Sequence, residues 1–181
     1  MNGWLAEIYD RDRRGLYALA LSVTRRPNTA EDAIHDAVVR LAKKGSPPEG
    51  DARAYVFRSV RNAALDQLRA AKRGINAKTY APVGGEENES NPGVSLFADP
   101  GPCPAEQTEQ AEQNQRLMQA VEQLPDAQRE TIVMKVFGGL TFQEIADTQG
   151  EPLSTVSSRY QRGLARLKTQ MMEMHHAPAT P

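Results

Sequence analysis

The stretch from Leu140 to Lys168 limits this chain most, because two capped helices and the turn between them are written into it. Thr141 stands three residues before Glu144, a capping-box spacing that predicts a helix opening near Phe142. Gly150 and Pro152 end that helix, since glycine accepts the left-handed cap and proline cannot continue the ladder. Ser154 is positioned to cap the next helix. Ala146, Gly150 and Val156 then fall where a helix-turn-helix needs a small contact residue, a turn glycine and a core residue.

The second helix of the pair has two faces. Val156, Tyr160, Leu164, Leu167 and Met171 recur at steps of three or four and predict a buried stripe. Thr155, Ser158, Arg159, Arg162 and Arg166 share another face. Arginine can fork onto guanine edges or phosphates, and hydroxyls can contact either. On spacing alone, that face favours a DNA reader over the alternative, a solvated basic face in an ordinary bundle.

Charge is segregated along the chain. Residues 1–80 hold 15 Lys/Arg and 9 Asp/Glu, residues 81–115 none and 7, and residues 116–181 hold 7 of each. The net charge of −1 therefore says little about nucleic-acid binding. A basic block, an acidic block and a mixed block predict two modules and a tether. No apolar run approaches the length needed to cross a membrane, and the N-terminus lacks a signal-peptide core. The single cysteine, Cys103, excludes an intrachain disulfide and fits a reducing compartment, so a cytoplasmic protein without membrane contact is expected.

Three helical periods precede the tether. Trp4, Leu5, Ile8 and Tyr9, then Leu16, Leu19, Ala20 and Val23, form one stripe with a polar break at Asp10 to Arg14. Asn28 and Glu31 repeat the capping-box spacing and open a helix to about Lys44, with Ile34, Ala37, Val38 and Leu41 inward. Asp32, His35, Asp36, Val39 and Lys43 face outward. Helix stability does not require two acids and a histidine there, which hints at a partner, although a plain solvated face is the ordinary reading of such a stripe. Asp51, after the loop that starts at Gly45, can cap a helix to about Arg73 with Phe57, Val60, Ala64 and Leu68 as its core. Arg58, Arg61, Asn62, Arg69 and Lys72 share one face of it, and Tyr55 lies beside the Pro-rich loop. A basic face with an aromatic and an amide at its start suits a strand with unstacked bases, or simply water.

Periodicity fades from Gly74 to about Gln107, where Val94-Ser-Leu-Phe97 is the one sticky spot in an acidic, flexible stretch. It resumes near Thr108 with Leu117, Ala120, Val121 and Leu124, restarts at Pro125-Asp126, and continues through Ile132, Val133, Val136 and Phe137. The expected fold is all-α: two small helical bundles joined by a flexible acidic linker. The expected divisions are a first module over 1–75, a linker over 76–110, a second module over 111–174 and a tail over 175–181. His35, His175 and His176 lack metal-ligand spacing with Cys103, and no nucleophile motif or phosphate loop occurs. No metal, cofactor or enzymatic activity is expected.

In this order, three motifs resemble the bacterial RNA polymerase sigma factors of the extracytoplasmic-function class, which keep only regions 2 and 4. Residues Ala30 to Leu41 resemble the core-polymerase-binding helix of region 2. Residues Arg53 to Arg69 resemble its promoter-melting and −10-reading helix, and Leu124 to Lys168 resemble region 4. The resemblance implies that Asp32, His35 and Asp36 dock on the β′ clamp of core polymerase. It implies that Asn62, Asp66 and Arg69, on the helix that also carries Tyr55, Arg58 and Arg61, lie beside the melted −10 strand. It implies that Thr155, Ser158, Arg159 and Arg162, with Arg166 on the same face, read the −35 element while region 4 meets the β flap. A masking anti-sigma factor is implied by the family alone. Gln149 and Glu151 depart from the family pattern, standing at turn positions that are usually apolar.

The tether sets a limit on such binding. About 35 flexible residues span roughly 30–35 Å on average and well over 100 Å extended. Two promoter elements about two helical turns apart are separated by roughly 70 Å. The modules can reach both only if the tether is drawn out.

Overall fold

The computed structural model describes residues 2–72 and 116–176, which form seven helices and no strand. Helices α1 (Gly3–Thr24), α2 (Pro27–Lys44) and α3 (Ala52–Lys72) pack mutually as one bundle. Helix α4, whose described part covers 116–122, α5 (Asp126–Val136), α6 (Phe142–Gln149) and α7 (Leu153–His176) form the second. The expected tether, its Val94 to Phe97 segment and the chain after His176 lie outside the described residues. Helix α7 includes His175 and His176, so the expected tail begins inside its last turn.

The first core is built as the periodicity predicts. Leu5, Leu16, Leu19, Val56, Phe57, Val60 and Ala64 are fully buried, with Ile34, Ala37 and Leu41 closing the third side. Each large side chain buried this way contributes about 1.5–3 kcal/mol, before the entropy of ordering it.

Several local expectations are corrected. Helix α1 runs unbroken through residues 10–14, because Asp12 is buried at 7 % exposure and its charge is satisfied. Helix α2 opens earlier than a cap at Asn28 would have it. Pro27 takes the N1 position, where its missing N–H costs nothing, and no side chain caps the end. Ser154 lies within α7, while the Pro152 carbonyl accepts from the amides of Thr155 and Val156 at 3.0 and 3.1 Å. The inner stripe of α7 passes through Val156, Gly163 and Leu167, leaving Leu164 41 % exposed. Gly163 packs against Ile132, whose Cδ1 would stand 2.6 Å from an added Cβ and would have to turn aside for it. Val136 points outward at 57 % exposure, and Met134 takes the core position instead.

The two bundles share a core. Met134, Leu140, Ile145, Ala146 and Val156 belong to the same buried cluster as Leu5, Leu16 and Phe57. A smaller cluster joins Ala18 of α1 to Ala120, Val121, Leu124, Ile132, Val133 and Leu167. At the seam, backbone meets backbone. A Cβ on Gly15 would lie 2.7 Å from the Cα of Gly138, and one on Gly138 would lie 2.6 Å from the Met134 carbonyl oxygen. Helix α5 is consequently surrounded: Arg129, Glu130, Thr131, Ile132, Val133 and Met134 are all buried in sequence.

Gly138→Ala is expected to lower stability by about 1–3 kcal/mol, since the added carbon meets fixed backbone. Gly139→Ala is expected to cost about 1–2 kcal/mol through its φ of +59° alone, as only the distant Arg53 guanidinium lies near it. Urea denaturation midpoints check both.

Candidate functional site

Helix α3 carries the first candidate surface. Asp51 caps it as the sequence predicts, its Oδ1 accepting from the amides of Arg53 and Ala54 at 2.8 and 3.1 Å. The cap fixes where α3 starts, and so aims every side chain along it. Tyr55 is half-buried, receives a 3.1 Å hydrogen bond from Lys44 Nζ, and has that ammonium 4.8 Å from its ring centroid. Arg58, Asn62, Asp66 and Arg69 are exposed, with Arg69 paired to Asp66 at 3.2 Å. Arg61 departs from this exposed row. Its Nε lies 2.6 Å from Glu130 of α5, a carboxylate only 6 % exposed. Five of the six expected residues therefore line the outer face, and the sixth is turned to the other bundle.

Helix α2 carries the second surface. Asp32, His35 and Asp36 are exposed on one side, opposite the buried Ala33, Ile34 and Ala37. Asp36 accepts from Gln67 Nε2 at 3.1 Å. Among the described residues Asp32 and His35 make no hydrogen bond or ion pair.

The helix-turn-helix forms the third. Thr141 accepts from the Glu144 amide at 3.2 Å while Glu144 accepts from the Thr141 amide at 2.6 Å, completing the capping box. Gly150 takes the left-handed cap at φ 69°, and Ala146 and Val156 are buried beneath the turn. The polar residues at the turn have a structural role. Gln149 donates to Thr131 Oγ1 at 3.2 Å and accepts from Arg159 at 3.3 Å, while Glu151 holds the same guanidinium at 2.9 Å. Arg159 is thus half-buried and held by the turn. Arg162 folds back onto Ser158, donating to its carbonyl and hydroxyl at 3.2 and 3.0 Å. Thr155 is half-buried and Arg166 is exposed.

Charged links between the bundles were not anticipated from the sequence. Arg53 of α3 forks onto Asp12 of α1 at 2.9 and 3.1 Å and reaches Glu144 of α6 at 3.1 Å. It also donates to the carbonyls of Gly138 and Gly139. Arg129 of α5, 3 % exposed, donates to the Ser22 carbonyl of α1 at 3.0 Å and to the Leu124 carbonyl at 2.9 Å. A signal was present: Asp12 is in phase with Ile8 and Leu16, and a charge on an apolar stripe must find a buried partner. Burial pushes the Asp12 carboxyl up, but hydrogen bonds and charges from Arg53 and Arg11 outweigh it and leave the group below its ordinary value. Glu144 behaves alike: burial raises it, and bonds from Thr141 and Arg53 lower it further than burial raises it. The Arg53 guanidinium is pushed up by Asp12 and, after the opposing effect of burial, by Glu144.

Comparison with known proteins places the chain in a family. Residues 8–74 match the model of Sigma-70 region 2, and residues 114–167 match that of Sigma-70, region 4. The ECF RNA polymerase sigma factor RpoE of Cereibacter sphaeroides is 30 % identical over 147 residues, covering 78 % of this chain and 72 % of that protein. The chain belongs to the ECF sigma factors. Another member, the ECF RNA polymerase sigma factor SigK of Mycobacterium sp. (strain KMS), is 25 % identical over 166 residues, covering 90 % of this chain and 80 % of its own. In fold, the sigma factor is similar to RpoE of Bartonella quintana, solved in complex with the anti-sigma factor NepR. The TM-score is 0.64 at 20 % identity, over 93 % of this chain and 94 % of that one. This sigma factor accordingly directs RNA polymerase to promoters and is an initiation factor rather than an enzyme. No helix among the described residues is long and apolar enough to cross a membrane.

Two outcomes follow from the charges. A carboxyl held below its unfolded value contributes stability above that unfolded value and loses it as pH falls through the folded one. The sigma factor should therefore hold its denaturation midpoint from pH 7 to pH 5 and lose stability below about pH 4, with a shallower fall in Asp12→Asn. Arg159→Ala should cost about 0.5–1 kcal/mol because the turn loses its clasp. Arg166→Ala should stay within about 0.5 kcal/mol, both read by thermal unfolding.

Proposed function

We propose that residues 1–75 are the polymerase-docking and −10 module, residues 76–110 the linker and residues 111–174 the −35 module. The observation that carries this reading is the outer face of α2, where Asp32 and His35 are exposed and unpaired among the described residues while Asp36 keeps only a neutral partner. Acids left without a cation among the described residues suit a basic partner, and the β′ clamp supplies one. On α3, Tyr55, Arg58, Arg61, Asn62, Asp66 and Arg69 meet the opened −10 strand, where an aromatic face can stack a base and guanidinium groups hold phosphates. On α7, Thr155, Ser158, Arg159, Arg162 and Arg166 enter the major groove at the −35 element, with the second bundle on the β flap.

Within that set the structure supports a division of labour. Arg159 is oriented by Glu151 and Gln149, so it can present a fixed fork to a base edge. Arg166 is exposed and suits a phosphate. The factor acts in the cytoplasm, where polymerase and promoters are. An anti-sigma factor is the regulatory partner, a pairing supported by the Bartonella quintana sigma factor having been solved in complex with its anti-sigma factor.

Lysine at both Asp32 and Asp36 is expected to weaken binding to core polymerase at least tenfold, about 1.4 kcal/mol, while helical content by circular dichroism stays unchanged. Run-off transcription from a matched promoter should fall with it. An unchanged affinity would remove the docking role from α2.

A further inference from the structure

One arginine on the reading face of α7 is tethered through both arms of its fork. Arg159 Nη2 donates to Glu151 Oε1 at 2.9 Å and Nη1 donates to Gln149 Oε1 at 3.3 Å. Gln149 is itself fixed from below. The buried Thr131 hydroxyl gives its one proton to the nearer acceptor, the Ala127 carbonyl at 2.7 Å, and its oxygen accepts from Gln149 Nε2 at 3.2 Å. That turns the amide oxygen of Gln149 towards Arg159, and a guanidinium, which only donates, requires the same orientation. A chain of hydrogen bonds thus runs from α5 through the last residue of α6 to Arg159. Arg162 has no such support, since it donates only to Ser158 of its own helix among the described residues.

We propose that Glu151 and Gln149 are positioning residues that make Arg159 select guanine in the −35 element, while the Glu151 carboxylate weakens attraction to DNA of every sequence. The proposal rests on the assignment of α7 to the −35 element above. A mobile arginine follows the nearest phosphate and carries no sequence information. A fixed fork meets only what enters its plane. Glu151 and Gln149 take two of the five N–H groups of Arg159, and the three left over suffice for the O6 and N7 acceptors of guanine. Adenine sets an amino donor where guanine has O6, so donor would face donor and the wrong base is rejected as well as the right one bound. The carboxylate of Glu151, 37 % exposed, acts on phosphates differently. It offsets the charge of Arg159 and repels any backbone alike, which lowers binding that does not depend on sequence.

Holoenzyme assembled from the full chain and core polymerase, on a promoter library with a randomised −35 element, tests this by sequencing the templates that are bound. Arg159→Ala marks the base pair that Arg159 contacts, as the position where preference is lost. The parent should prefer guanine there over every other base. Glu151→Ala and Gln149→Ala should each lower that preference at least fivefold and leave the other −35 positions within twofold. Glu151→Ala should also bind a promoter with a scrambled −35 element at least twofold more tightly at fixed salt. Glu151→Gln, which keeps an acceptor and removes the charge, should hold the guanine preference within threefold of the parent yet share the tighter binding. In an Arg159→Ala background, Glu151→Ala should change base preference no further.

An unchanged guanine preference in either alanine variant would overturn the positioning role. So would an even loss across all −35 positions, the mark of a turn that has merely loosened, or a base other than guanine at the position Arg159 marks. Binding to the scrambled promoter that fails to tighten in Glu151→Ala would overturn the part given to its charge. In each of these cases α7 remains the −35 reader. A parent holoenzyme indifferent to the −35 sequence would instead remove that assignment, and the proposal with it.

Discussion

A single guanidinium determines how this structure is put together. Arg53 is largely removed from water beside an Asp12 carboxylate that is 6 % exposed, and such a charge is tolerable only if its N–H groups find acceptors. They do: two oxygens of Asp12, one of Glu144, and the carbonyls of Gly138 and Gly139 surround the planar fork. The acceptors come from α1, from α6 and from the loop between α5 and α6, so satisfying one side chain fixes three parts of the fold relative to α3. Lysine could not serve, because an ammonium offers three donors from one point and no planar fork. The ion pairs need not add much net stability. They do set which surfaces meet, since any other docking would leave the charge bare.

The glycines make that arrangement sterically possible. Without side chains at positions 15 and 138, α1 and the loop after α5 come close enough for Arg53 to reach the loop carbonyls. The second bundle is thereby seated with α6 against the start of α3 and α5 against α1. The surface on α2 faces away from this seam and remains open, whereas the α3 surface is partly engaged through Arg61. One sigma factor thus presents its candidate polymerase face while one of its candidate promoter residues is occupied.

Local signals in the chain were legible where one residue decides the outcome. Asp51, Thr141 and Gly150 each cap a helix end as their spacing predicts, because a cap depends on neighbours two or three residues away. The apolar stripes of α2 and α3 were legible for the same reason. Stripes failed where neighbours lie on more than one side. Helix α5 is enclosed by α1, α6 and α7, so six consecutive residues are buried and no period survives. Gly163, not Leu164, faces inward on α7, where it packs directly against the Ile132 side chain. The links between the bundles made by Arg53, Arg61 and Arg129 join residues 69 to 107 positions apart, beyond the reach of any periodicity. Of the candidate surfaces, position along the helices was legible, but the engagement of Arg61 and the clasping of Arg159 were not.

The bare meeting of Gly15 with Gly138 has a mechanical corollary. Contacts between flexible side chains can stretch, as rotamers follow a receding surface and keep some attraction over an ångström or two. Backbone pressed on backbone has no such slack, and dispersion falls away within a fraction of that distance. A seam of this kind is brittle: it resists small strains stiffly and then parts all at once, so the free chain should visit two well-separated shapes with little in between.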